Sequence, residues 1–207
     1  MLRRFLTAVT LVGLILTVTT FPVCGRNYSG HGDDLIAIEK PISDLPALAI
    51  IRGNTTKRHF AVKSYDHEMD YISLLVNTTD AYMGVIPIDL PNTTVTGYLE
   101  IKAQGPWEIS IISIGDATRI KLGEQKTGIG DHVLWVEDDG VNTAKSARID
   151  GNPLSNHFAV KAFDSYGLYN GLLVNTTSRY SGRVRMPKDT LVIVIKAVGE
   201  WTIILEK

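Results

Sequence analysis

The chain has 207 residues, with 21 basic and 22 acidic side chains, a formal net charge of -1 and a single cysteine. This length allows one or two domains, and the balanced charge gives no single-signed field that would draw the protein onto nucleic acid. One cysteine excludes an intramolecular disulfide, so the fold must be stabilised by packed apolar surface.

Residues 1–25 are predicted to be an export segment. Arg3 and Arg4 precede an uncharged, mainly apolar stretch at residues 5–24, which is the pattern of a signal peptide. Cleavage after Gly25 would leave Arg26 at the N-terminus. The alternative is an uncleaved anchor, because twenty residues just span a hydrocarbon layer of about 30 Å. We therefore expect a secreted or cell-surface protein that contacts a membrane only through this segment.

The next part of the chain, residues 28–114, is predicted to be a β-sandwich module. Short runs rich in β-branched and aromatic residues alternate with Gly, Pro, Asn and Asp, as in all-β domains. Polar and apolar residues alternate in the last two runs, so one face of each strand is expected to be buried. The predicted strands are residues 35–39, 47–52, 59–65, 72–76, 82–88, 98–103 and 107–112. Gly105 and Pro106 predict a hairpin between the last two.

Residues 115–127 are interpreted as a linker, and residues 128–207 as a second copy of the module. A shift of 98 places residues 59–63 on 157–161 and 74–79 on 172–177, with nearly identical sequences. After a four-residue shortening, residues 101–107 match 195–201 at a shift of 94. Residues 30–33 on 128–131 and Tyr82 and Gly84 on Tyr180 and Gly182 follow the same shift of 98. Four blocks in one register indicate an internal repeat.

A helix over residues 61–75 is the one competitor to this all-β interpretation. Its counterpart in the second copy contains Gly167 and Gly171, and each glycine costs a helix interior about 1 kcal/mol relative to alanine. The predicted fold is therefore all-β, with two tandem antiparallel β-sandwich modules of jelly-roll type behind the export segment. Some packing between the modules is expected, because a cysteine-free module of this size has a small core.

Two pairs of equivalent residues are candidates for ligand binding. Trp107 and Trp201 would stack on sugars if they were exposed, although a tryptophan that alternates with isoleucines favours a core position. His59 and His157 have no histidine three or four residues away that could share a metal, so an ordinary hydrogen bond is the simpler interpretation.

Calcium is the one cofactor that the sequence suggests. Asp33 and Asp131 each follow a Gly-x-Gly turn and could ligate Ca²⁺ with Glu39 and Glu137. Six residues of strand, at about 3.3 Å each, separate the two carboxylates in each copy, so a cap on the local turn is the alternative.

Five asparagines begin an Asn-x-Ser/Thr acceptor and are candidates for glycosylation: Asn27, Asn54, Asn77, Asn92 and Asn175. Asn77 and Asn175 are also interpreted as turn residues that tolerate a left-handed backbone.

The shared motifs Gly-x-Gly-Asp, Phe-x-Val, Leu-Val-Asn, Tyr-x-Gly and Gly-x-Trp resemble those of secreted prokaryotic β-sandwich modules, distantly similar to the pre-peptidase C-terminal type. The resemblance covers both modules and implies fold and exterior location, without a catalytic residue.

The sequence favours a non-enzymatic protein of the cell surface or exterior that binds a glycan or a protein or has a structural role. Two linked copies would convert two weak sites into one avid one. Two alternatives stay open. One is a hydrolase with a site between the modules, built from His59, Asp66, His157 and Asp164, and the other is a calcium-stabilised spacer.

Overall fold

The structure is a computed structural model that describes residues 25–91, 94–137 and 144–207. The predicted export segment, up to residue 24, and the acceptor Asn92 lie outside the described residues. Among the described residues no helix is long and apolar enough to span a bilayer.

The first module is an eight-stranded sandwich. Its strands are β1 (Arg26–His31), β2 (Asp34–Ala37), β3 (Ala47–Gly53), β4 (Phe60–Tyr65), β5 (Tyr71–Thr78), β6 (Tyr82–Ile88), β7 (Tyr98–Lys102) and β8 (Pro106–Ser113). They form sheet A, in the order β1-β8-β3-β6, and sheet B, in the order β2-β7-β4-β5. This strand order is that of a jelly roll, which confirms the predicted fold class.

The second module repeats this arrangement. Its strands are β9 (Thr118–Lys121), β10 (Gln125–Ile129), β11 (His132–Glu137), β12 (Ser146–Gly151), β13 (Phe158–Asp164), β14 (Tyr169–Thr176), β15 (Tyr180–Arg185), β16 (Thr190–Lys196) and β17 (Glu200–Glu206). Sheet C has the order β14-β13-β16-β11-β9, and sheet D has the order β10-β17-β12-β15. Apart from β9, every strand has a counterpart at the same place in the first module.

The segment interpreted as a linker, residues 115–127, belongs to the second sandwich instead. A 3-10 turn at Ile114–Asp116 leads into β9, which pairs in parallel with β11, and β10 follows at once. The Ile120 side chain of β9 is fully buried in the second core. Burial of this side chain holds the segment on the sheet.

The predicted hairpin between the last two strands of a module is wrong. β7 pairs with β2 and β4 in sheet B, whereas β8 pairs with β1 and β3 in sheet A. The chain crosses from one sheet to the other at Gly105. Ile101 and Ile109 therefore face the same core from opposite sheets, and both are fully buried.

The two sandwiches are stacked, so the sheets lie in the order B, A, C, D. The outer face of sheet A packs against the outer face of sheet C through a third apolar cluster that includes Leu48, Ile112, Val133, Phe163 and Val192. Different faces of the repeat meet here, so the contact is of the head-to-tail kind.

Candidate functional site

A turn of the second sandwich is docked on an edge strand of the first. The Asp131 carbonyl accepts a hydrogen bond from the Val85 amide of β6 at 2.9 Å. The Tyr82 hydroxyl donates to Asp131 Oδ2 at 2.7 Å. Gly130 has a φ of +76°, and a Cβ there would lie 3.0 Å from the Met83 carbonyl, so this close approach requires glycine.

Beside this junction lies a cleft of about 410 Å³ between the β5–β6 corner of the first sandwich and three segments of the second. We call it the inter-module cleft. Four large apolar side chains line it and are exposed, at 42, 65, 70 and 54%: Leu74, Met83, Ile129 and Val198. A single exposed apolar residue is ordinary, but a group around one concavity is typical of a binding surface.

The cleft also carries a few polar groups. The Tyr82 hydroxyl and Asp131 Oδ2 are hydrogen-bonded to each other, and Asp131 Oδ1 accepts a hydrogen bond from the Ala197 amide at 2.9 Å. Burial and the neighbouring Asp131 charge raise the pKa of Tyr82 far above its usual value, so this hydroxyl stays a neutral donor. The other polar side chains that line the cleft include Asn77, His157 and Lys196.

Lys196 differs from its counterpart in the first module. Lys102 lies 3.1 Å from Asp33 Oδ2 and 3.6 Å from Glu100 Oε1. In the second module Asp131 corresponds to Asp33, and its Oδ2 accepts a hydrogen bond from Tyr82. Val194 takes the place of Glu100. Lys196 forms no ion pair with any described residue, and it lines the cleft.

The outer face of sheet B is a second candidate surface. The Tyr65 hydroxyl donates to Glu100 Oε2 at 2.8 Å, and Lys63 lies 3.1 Å from the same oxygen. These contacts, led by the tyrosine hydrogen bond, lower the pKa of Glu100. Tyr71 is 59% exposed and packs edge-on against Tyr65, with ring centroids 6.0 Å apart. A cavity of about 360 Å³ adjoins this network.

The two tryptophans are not at a surface that a sugar could reach, which corrects their candidacy as ligand platforms. Trp107 and Trp201 are 2 and 3% exposed. Their indole N–H groups donate to the carbonyls of Gly32 and Gly130 at 3.0 Å. Both rings are core components that tie the last strand to the Gly-x-Gly turn.

The histidines and aspartates proposed for a hydrolase are not brought together by hydrogen bonds. His59 Nε2 lies 3.2 Å from Asn77 Oδ1 within the first module, and His157 Nε2 lies 3.1 Å from Asn175 Oδ1 within the second. The aspartates, Asp66 and Asp164, each accept two backbone N–H groups of their own turn through Oδ1.

Asp33 and Asp131 accept hydrogen bonds from backbone far along the chain, and not from their own turn. Asp33 Oδ1 accepts from the Ala103 amide at 2.9 Å, just as Asp131 binds Ala197. The Ala103 bond, followed by that from Lys102, lowers the pKa of Asp33. The described residues contain no cluster of three or more potential metal ligands. The expected cap on the local turn is therefore replaced by a hydrogen bond to backbone far along the chain.

The glycosylation candidates differ in how exposed their side chains are. Asn54 is only 3% exposed, and its amide donates to the Asp80 carbonyl at 2.8 Å and to that of Arg58. It is unsuited to modification. Asn27 is exposed. Asn77 and Asn175 are also exposed, and they lie on β5 and β14 without positive φ, so their interpretation as left-handed turn residues is wrong.

Asn54 and its counterpart Asn152 are structural residues that the sequence analysis did not single out as a pair. Both have a φ near +60°, and the side-chain amide of each donates hydrogen bonds to backbone carbonyls of two loops. The shift of 98 that aligns the modules also aligns these two asparagines, so the repeat contained the signal.

No protein-family model matches the chain, and no curated protein matches it. Among solved structures it is similar to a regulatory subunit of a cAMP-independent protein kinase A from Trypanosoma cruzi bound to guanosine. The identity is 8%, the match covers 87% of this chain and 72% of that chain, and the TM-score is 0.25. A likeness at that score carries no conclusion. The fold and the cleft thus define a class, a tandem jelly-roll protein with a concave surface between its modules.

Proposed function

We propose that this is a non-enzymatic binding protein of the cell exterior and that its ligand occupies the inter-module cleft. The observation that carries the proposal is the group of four exposed apolar side chains around one cavity at a module interface. Ligand sites prefer such interfaces, and they combine an apolar lining with a few polar groups that fix orientation.

A protein ligand suits the cleft better than a glycan. Sugars are bound by exposed aromatic rings and dense hydrogen bonding, whereas the exposed large hydrophobics at this cleft are aliphatic. The apolar side chains of an extended peptide would contact Ile129 and Val198.

The outer face of sheet B supports a second candidate function, glycan binding. Tyr71 offers an exposed ring, and carboxylates and lysines lie beside it in one network. This combination of a stacking face and charged hydrogen-bonding groups is suited to a saccharide.

Exterior location is supported by the basic and apolar character of residues 1–25. Because β1 begins at Arg26, cleavage after Gly25 would leave the first sandwich complete. Sequencing of the N-terminus of protein recovered from the culture medium and from membranes distinguishes the options. Arg26 as the first residue supports cleavage, and an intact leader in the membrane fraction supports the anchor.

The cleft can be tested with the fluorescent probe 8-anilinonaphthalene-1-sulfonate on the full chain. We expect saturable binding that Ile129→Ser weakens about tenfold, the equivalent of about 1.4 kcal/mol, because apolar contact area is lost. Leu154→Ser is the matched control, since Leu154 is also 70% exposed but does not line the cleft. It should bind the probe as the unmodified chain does.

Displacement of the probe then identifies the ligand class. An extended peptide rich in Leu and Val should displace it, and an oligosaccharide should not. If Ile129→Ser and Leu154→Ser bind the probe equally well, the cleft is not the binding site and the proposal fails.

A further inference from the structure

Two of the acceptor sequences occupy the same place in both modules. Asn77-Thr78-Thr79 ends β5, and Asn175-Thr176-Thr177 ends β14. β5 is the edge strand of sheet B and β14 is the edge strand of sheet C, so each has a paired neighbour on one side only. The acceptors therefore lie where the backbone of each module is open.

A histidine fixes the orientation of each acceptor amide. His59 Nε2 and His157 Nε2 face the Oδ1 atoms of Asn77 and Asn175 at 3.2 and 3.1 Å. An amide oxygen only accepts, so the ring nitrogen is the donor. Within the described residues the Nδ2 atoms of these two asparagines make no hydrogen bond, in contrast to the doubly bound Nδ2 of Asn54.

We propose that Asn77 and Asn175 carry N-linked glycans, an inference that rests on the exterior location in the proposed function. Asn77 also lines the inter-module cleft, so its glycan would lie at the edge of that cleft. The donor class is an oligosaccharide on a lipid pyrophosphate. Nδ2 attacks the anomeric carbon and forms the C–N bond. The bond from that carbon to the pyrophosphate oxygen breaks, the lipid pyrophosphate leaves with the bonding electron pair, and the proton lost by Nδ2 passes to water. No oxidant or reductant takes part. The histidine contact leaves Nδ2, the reacting atom, free.

These glycans would cover two edge strands that lack the residues which usually protect an edge. β5 and β14 contain no charged residue and no proline, and each presents an exposed leucine, Leu74 and Leu172. An uncharged edge strand is a template for pairing with another chain, and proteins usually blunt such edges with charges, proline or a cover. A glycan at the end of the strand excludes a second strand by its bulk.

The test is glycopeptide mass spectrometry on the full chain recovered from its own organism. We expect occupancy at Asn77 and Asn175 and none at Asn54. Thr79→Ala removes the acceptor sequence but keeps Asn77 and its histidine contact, so it should lose one glycan. Thr78→Ala is the matched control, since the middle position of the acceptor is free to vary, and it should keep that glycan.

The double variant Thr79→Ala/Thr177→Ala should self-associate at concentrations where the glycosylated chain is monomeric, as measured by light scattering. Protein that is outside the cell but unmodified at both asparagines overturns the glycan proposal and leaves export intact. Unmodified protein confined to the cytoplasm overturns both. Glycans present at both sites with no change in association for the double variant would overturn the covering role.

Discussion

The hydrogen bond from Tyr82 to Asp131 should be a main stabilising contact between the two sandwiches. Asp131 is only 8% exposed, and its two oxygens are satisfied by the Tyr82 hydroxyl and the Ala197 amide. Tyr82→Phe removes the hydroxyl and leaves one buried carboxylate oxygen without its donor. Hydrogen bonds to charged groups contribute about 1.5–3 kcal/mol, so we expect a loss of about 2 kcal/mol.

Thermal unfolding followed by circular dichroism at pH 7 measures this loss. For chains of about 150–250 residues, 1 kcal/mol changes Tm by about 2–4 °C, so Tyr82→Phe should lower Tm by about 4–8 °C. Tyr180→Phe is the control, because Tyr180 is the counterpart of Tyr82 and its hydroxyl donates no hydrogen bond to a described residue. It should change Tm by less than about 2 °C.

The same pair predicts a dependence on alkaline pH. The folded state raises the pKa of Tyr82 above its ordinary value of 10.0, chiefly by burial. The resulting stability is therefore fully present below pH 10 and is lost as the pH rises, because the unfolded chain then releases the phenolic proton more readily. Equal effects of the two Tyr→Phe substitutions on Tm, or an unchanged alkaline slope in Tyr82→Phe, would refute this account.

Two further predictions concern the second sandwich. Gly128→Ala should destabilise the protein by about 1–3 kcal/mol in urea unfolding, since its Cβ would lie 2.2 Å from Cζ2 of Trp201. Gly115→Ala, whose Cβ meets nothing closer than 3.5 Å, should be nearly neutral, and equal losses would disprove the packing argument. His132→Gln should reduce acid sensitivity. Burial lowers the pKa of His132 below its ordinary value of 6.5, so its contribution to stability is present above pH 6.5 and is lost as the pH falls through the lowered value. Unfolding measured between about pH 7 and 4 checks this, and identical slopes for the two chains would count against it.

The seven strands predicted for the first module are all present, and 82–88 has the bounds of β6. Local sequence sufficed for them because alternating β-branched residues between turn formers identify a half-buried strand. β1 and β10 were missed, since edge strands such as Arg26–His31 have few apolar residues to bury. β9 was missed because its partner β11 is a parallel neighbour that no local pattern indicates.

The connection between β7 and β8 shows a different limit. A Gly-Pro turn between two amphipathic strands suits a hairpin within one sheet and a crossing between two sheets equally well. The choice between the hairpin and the crossing depends on partner strands far along the chain. β7 pairs with β2, and β8 pairs with β1. The inter-module cleft lay beyond sequence analysis for the same reason, since none of its residues is distinctive until the sandwiches are stacked.

Equivalent outer faces of the two modules differ in polarity. The outer face of sheet A contributes apolar residues to the contact, but the equivalent positions on sheet D are polar. Four apolar residues of sheet A correspond to polar residues of sheet D: Leu48 to Ser146, Ile50 to Arg148, Val85 to Arg183 and Ile112 to Glu206. Arg183 and Glu206 form an ion pair at 2.7 Å there. At the other end, Tyr65 and Glu100 of sheet B replace Phe163 and Val194 of sheet C. Both of these faces are therefore more polar than the faces that meet between the modules.

This arrangement also changes how the repeat can serve binding. The inter-module cleft needs the β5–β6 corner of one module and the Gly130–Asp131 turn of the next. The equivalent corner of the second module, at Tyr180, is not met by such a turn within the described residues. Two linked weak sites, the expectation from the sequence, are thus replaced in the proposed function by one site built between the copies. Its affinity then depends on how firmly the two sandwiches are held together, so Tyr82→Phe should weaken probe binding as well as lower Tm.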